Sequence, residues 1–120
     1  MDMRNVVEFK TGWLMCQAQV LSSLNIADTT ATRRRGLIGK TEIETPLLID
    51  SCKWIHTFGV KRPLDVAYLD ANMQVIKVQR IKPLRIAMPV LGASHVLEAS
   101  AGTFENWGLV VGHKLEARRT

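Results

Sequence analysis

The chain has 120 residues, 47% of them hydrophobic, with 16 Lys and Arg against 11 Asp and Glu for a formal charge of +5. That length suits one domain with a single sizeable core, and so modest a positive excess permits anionic partners without demanding one. Two cysteines, Cys16 and Cys52, are too few for a disulfide framework, and no apolar run approaches the about 18 residues of a membrane span.

Residues 1–12 are polar and end at Gly12, which reads as an N-terminal arm or an edge strand ahead of one β-rich domain over 13–116. Asp2 and Glu8 dilute the basic start, and Gln17 and Gln19 cut short the apolar patch at 13–16, so no export signal is expected and a cytoplasmic protein with two free thiols is. Residues 13–19 and 21–27 read as strands; Leu24 and Ile26 alternate with Asn25. Asp28, Thr29 and Thr30 offer N-cap oxygens for a short helix over 31–38, with Gly39 as its stop. Arg33, Arg34 and Arg35 fall about 100° apart around such a helix, so they are not expected to face one ligand together.

Pro46 opens the apolar run Leu47, Leu48, Ile49. Residues 65–69 and 75–81 form a β-hairpin across a turn at 70–73, with Asn72 suited to a positive φ. Pro83 and Pro89 break the next stretch into loop, 94–99 is a strand, and 103–107 is a helical turn. Strands at 109–111 and 114–116 close the domain before a basic tail at 117–120. Six to eight short strands with one minor helix near 30–39 predict a mainly β fold, a single compact antiparallel β-sandwich or barrel-like domain.

Cys52, His56-Thr57-Phe58-Gly59, and Pro63-Leu64-Asp65-Val66-Ala67 followed by Leu69-Asp70 carry a resemblance. Arg34-Arg35-Gly36-Leu37 precedes them, and Lys82-Pro83, Arg85, Val96-Leu97-Glu98, Ala101-Gly102-Thr103, Gly108-Leu109 and Gly112 follow in order. Over residues 24–116 this set resembles the bacterial and archaeal domain of unknown function 192. The resemblance implies a small β-rich domain and no established activity. The chain departs from the family at Trp54, where relatives tend to have a smaller residue, at Val60 and His113, and at Ala99-Ser100.

The densest polar chemistry lies in residues 52–70. Four extended residues span about 13 Å, too far for Cys52 and His56 to hold one ion, and no CxxC or HxxxH pattern supplies further ligands; no metal and no cofactor is expected. Asp65 and Asp70 fall on opposite faces of one strand, so they form no shared-proton pair; Asp65 is expected to cap backbone amides or to pair with Arg85 or Arg35. Glu98 shares a strand face with Val96, and if that face is inward it needs a cationic partner or a raised pKa. The basic stretch Lys77, Arg80, Lys82 and Arg85 has no interleaved aromatic, which disfavours nucleic acid.

These readings give a binding or accessory module whose candidate pocket collects His56, Asp65, Arg85 and Glu98, with Arg35 and Cys52 nearby. Its expected partner is a small polar or anionic ligand or a peptide. One alternative is a thiol- or acid–base-dependent enzyme built on Cys52, His56 and Glu98. Another is a structural accessory of a cell-envelope or secretion assembly.

Overall fold

The computed structural model describes residues 8–40 and 42–120. Seven strands form one sheet: β1 (Lys10–Cys16), β2 (Gln19–Ala27), β3 (Leu47–Asp50), β4 (Leu64–Leu69), β5 (Val75–Ile81), β6 (His95–Ser100) and β7 (Leu115–Arg119). Their order is β5-β4-β6-β3-β2-β1-β7. All neighbours pair antiparallel except β2 and β3, which the crossover through helix α1 (Thr30–Arg35) makes parallel. A second helix, α2 (Thr103–Trp107), follows β6.

The two outer strands of that order meet. Gln74 bridges Lys114, the Val75 amide donates to the His113 carbonyl at 2.8 Å, and the Leu115 amide donates to the Met73 carbonyl at 2.9 Å. The sheet is therefore curled into a barrel. Leu14, Leu24, Ile26, Leu48, Ala67, Leu69, Val75, Leu97, Ala99 and Leu115 pack into one cluster. Every strand contributes to it, which identifies it as the barrel interior, and Phe104 of α2 packs into the same cluster.

A second core lies outside the barrel. Leu47 and Ile49 of β3, Leu64, Val66 and Tyr68 of β4 and Val96 of β6 pack against Leu37, Ile55, Val60, Ala87 and Ala93 from the connecting segments. Strands covered on both faces read as continuous apolar runs rather than alternating ones, which is why all six residues of β4 are buried. The cover includes a ribbon in which His56 bridges Ile86, with the Thr57 amide donating to the Arg85 carbonyl and the Ala87 amide to the Ile55 carbonyl. Thr57, fully buried, fastens it: its hydroxyl donates to the Lys82 carbonyl at 2.7 Å and accepts from the Arg85 amide at 2.8 Å.

Several local expectations need correcting. Of the segment expected as an arm or an edge strand, residues 1–7 lie outside the described residues, and Lys10, Thr11 and Gly12 are strand, continuous with β1, which is paired on both sides rather than at an edge. Residues 117–119, expected as a tail, complete β7 against β1 instead. No strand forms at 109–111, where Gly108 and Gly112, with positive φ, turn the chain. The helix stops at Arg35, because Gly36 adopts a φ of 47° three residues before the expected stop. Its N-cap is Thr29 in a reciprocal pair with Thr32, while Asp28 takes ion pairs from Lys10 and Arg119. In the hairpin the positive φ falls on Met73 rather than Asn72, since the Asp70 carboxylate accepts from the Asn72 and Gln74 amides.

Gly12 faces Arg119 where β1 meets β7, and a Cβ there would sit 2.4 Å from the Arg118 carbonyl oxygen. Gly12→Ala must part the two strands, and a loss of about 2 kcal/mol or more is expected in chemical denaturation. Unchanged stability would show that β7 is not held this closely.

Candidate functional site

Strand β6 decides which side chains enter the outer layer. Leu97 and Ala99 point into the barrel, so Val96 and Glu98 point away from it, beneath the cover. Glu98 stands opposite Leu47 on β3 and Val66 on β4, in the middle of the sheet, and is 3% exposed. The chain leaving α1 closes over it: a Cβ on Gly36 would lie 3.8 Å from Glu98 Oε1. Among the described residues the carboxyl makes no hydrogen bond and no ion pair. Burial in this apolar setting pushes its pKa up to about 8, so it is mostly protonated at neutral pH.

Above Glu98 lies a cavity of about 300 Å³. The last turn of α1, with Arg33, Arg34, Arg35 and Gly36, forms one wall, and Cys52, Trp54, Ile55 and His56 form another. All three arginines border it, with Arg33 half-buried and Arg34 and Arg35 exposed, as their angular spacing leads one to expect. The helix ends at Arg35, so its whole final turn, rather than one stripe, makes the wall. None of the three has an ion-pair partner among the described residues. The imidazole of His56 is exposed and sits between the Trp54 and Phe58 rings, with centroids 6.4 and 5.6 Å away.

Cys52 is partly buried and not in a disulfide. Its thiol donates to the Trp54 carbonyl at 3.0 Å, and burial, outweighing that contact, raises its pKa. Tyr68 lies beneath, its hydroxyl without a hydrogen-bond partner among the described residues. Burial first, then the nearby Cys52 and Glu98, push that hydroxyl up to about 12. Buried polar groups lacking protein partners are uncommon in native structures and call for water or a ligand.

Thus His56, Cys52, Arg35 and Glu98 share one cavity, whereas Asp65 and Arg85 lie outside it. Asp65 accepts from the Gly102 and Phe104 amides at 2.9 and 3.1 Å and from Arg80 Nε at 3.1 Å, which ties β4 to the start of α2. Its basic partner is Arg80, its cross-strand neighbour in β5, rather than Arg85 or Arg35. Arg85 is exposed and donates to the Pro83 and Leu84 carbonyls at 3.3 Å. No group of three His, Cys, Asp or Glu side chains stands at metal-binding distance among the described residues. His95 meets Asp50 instead, with Nδ1 2.7 Å from Oδ1.

The fold is shared with known proteins. The family model DUF192, described as an uncharacterised ACR, matches residues 13–117, and the chain belongs to that family. The UPF0127 protein of Pyrococcus horikoshii is 31% identical over 98 residues, covering 78% of this chain and 85% of that one. Its counterpart in Thermococcus sibiricus is 26% identical over 99 residues, which span 78% of this chain but only 64% of that protein. Among solved structures, a Sinorhizobium meliloti protein presented as a candidate transcription regulator superposes with a TM-score of 0.77 at 19% identity, covering 94% of this chain and 98% of that one. A Novosphingobium aromaticivorans protein of unknown function superposes at 0.71, also at 19% identity, covering 89% and 83%. These two likenesses concern the fold alone. No described helix is long and apolar enough to cross a membrane.

The raised pKa of Glu98 makes stability pH-dependent with a definite sign. Between its ordinary value of 4.5 and about 8 the folded state holds a proton that the unfolded state has released, so this contribution is fully present below 4.5 and is lost as pH rises through 8. Glu98→Gln keeps the shape without the titration. Denaturation midpoints of the variant are expected to flatten across this window and to exceed the parent's at pH 8.5. A parallel pair of profiles would refute the assignment.

Proposed function

We propose that the cavity is the ligand site of a binding module and that its ligand is a small anion carrying carboxylate or phosphate oxygens. The carrying observation is the buried, unpartnered Glu98 carboxyl beneath a rim of three arginines that have no acidic partner among the described residues. Guanidinium groups match such oxygens bidentately, and a protonated Glu98 supplies a donor where an ionised one would repel. His56 is the further pocket-lining group that can donate or accept, and Cys52 narrows the wall between them. Asp65 and Arg85 are left to structural roles. Two unpaired thiols suit a cytoplasmic setting.

An enzyme built on Cys52, His56 and Glu98 is the alternative, supported by their presence around one cavity. It fits less well, because burial raises the Cys52 pKa whereas nucleophilic thiols are depressed.

Thermal melts at pH 7 against inorganic phosphate, citrate and glutamate test the binding reading. At a hundredfold excess over Kd, an anion of the right class is expected to raise Tm by roughly 10 °C. Arg33→Ala/Arg35→Ala should abolish the shift, and affinity should fall as pH passes 8 in the parent but not in Glu98→Gln. Absence of any shift across the panel, or a shift indifferent to the arginine pair, would overturn the proposal.

A further inference from the structure

The cover ribbon presents an outer face that extends beyond the cavity: Trp54 and His56 border both, while Leu84, Ile86, Met88 and Leu91 lie outside the cavity lining. His56 and Ile86 form an antiparallel pair of the type without direct hydrogen bonds between them, in which facing side chains approach most closely. Beyond this bridge the Val90 amide donates to the Lys53 carbonyl, which keeps the Met88 arm along the Trp54 arm, while the Leu84 amide bonded to the Thr57 carbonyl brings Leu84 to the Phe58 end. Ile55, Thr57 and Ala87, the alternate residues, are buried beneath. The outer row is exposed, with Ile86 at 62% and Met88 at 77%, and the adjoining turn carries Leu91 at 100%. Apolar side chains scattered singly on a surface are ordinary; a contiguous row on one ribbon marks an interaction surface.

The charge around this row is one-sided. Residues 51–64 and 82–94, which include both arms of the ribbon, contain five Lys or Arg and no Asp or Glu. Lys53, Lys61, Lys82 and Arg85 are exposed, and the Arg85 side chain bonds only backbone carbonyls, which leaves its charge uncompensated. The arginine wall of α1 adds to the same side, since Trp54 and His56 border the cavity that it lines. A protruding apolar row on segments that carry Lys and Arg but no Asp or Glu matches a bilayer carrying anionic headgroups, where the side chains enter the acyl boundary and the lysines stay at the phosphates. The aliphatic members distinguish this from a nucleic-acid platform, which is built on stacked aromatics.

We infer that the outer face of the 53–58 and 84–91 ribbon docks the protein on anionic membrane surfaces. Flotation with phosphatidylcholine vesicles, with and without phosphatidylglycerol, tests this on the full chain. Binding is expected only with the anionic lipid, weakened by salt, with a blue shift of tryptophan emission that Trp54→Phe removes. Ile86→Ser/Met88→Ser is expected to lower the partition coefficient about tenfold or more, and each charge removed in Lys82→Gln and Arg85→Gln to lower it about fivefold. Leu91→Ser, at a wholly exposed position where folding is not at stake, should also weaken binding. Failure to bind anionic vesicles at low salt, or binding indifferent to the Ile86 and Met88 changes, overturns the inference. So does either alternative occupant in the absence of vesicle binding: a dimer in sedimentation velocity that the double variant dissolves, or single-stranded oligonucleotide binding lost with Trp54→Ala.

Discussion

A carboxyl group held under an apolar cover, with no ion-pair partner among the described residues, is a costly arrangement for a small domain, and the candidate site is built around it. Taking an ionised carboxylate out of water costs several kcal/mol even after relaxation, so the group keeps its proton instead. Keeping the proton costs stability as pH rises, which a purely structural position would have no reason to bear. Apolar neighbours on β3 and β4 and the chain packed over it at Gly36 leave Glu98 facing the cavity above it.

The two-layer build explains why the cavity is where it is. The barrel is filled by residues from all seven strands, so its interior has no room for a site. The outer layer is a patchwork of a one-and-a-half-turn helix, a short ribbon and loops, and a cover of such irregular pieces leaves a gap where the last turn of α1 meets the 52–56 arm. Thr57 holds one side of that gap in place by bonding both the Lys82 carbonyl and the Arg85 amide. Asp65 performs the equivalent service for α2, on the far side of the same strand system.

Much of this was legible in the residues. The apolar run of β4, the alternation of β5 and the turn between them marked the hairpin, the pattern at 103–107 marked α2, and the position of Glu98 two residues after Val96 already posed the choice between a partner and a raised pKa. What escaped was long-range. Asp65 finds Arg80 through cross-strand register, and periodicity within one strand carries no information about its neighbour. Tyr68 looked like one more apolar strand residue; nothing local signals that its hydroxyl lacks a partner. The aromatic and aliphatic row was hidden because its halves, around Trp54 and Ile86, are some thirty residues apart; the first reads as extended chain with no partner in view and the second as loop.

The protonation state of Glu98 is the most direct point of contact with experiment. Carboxyl carbon chemical shifts of the 13C-labelled protein, followed from pH 4 to 10 with Glu98→Gln to assign the resonance, should show this group titrating near pH 8. An inflection close to the group's ordinary value of 4.5 would mean a hydrated or ion-paired carboxylate, and the uncompensated burial on which the cavity's chemistry depends would not exist.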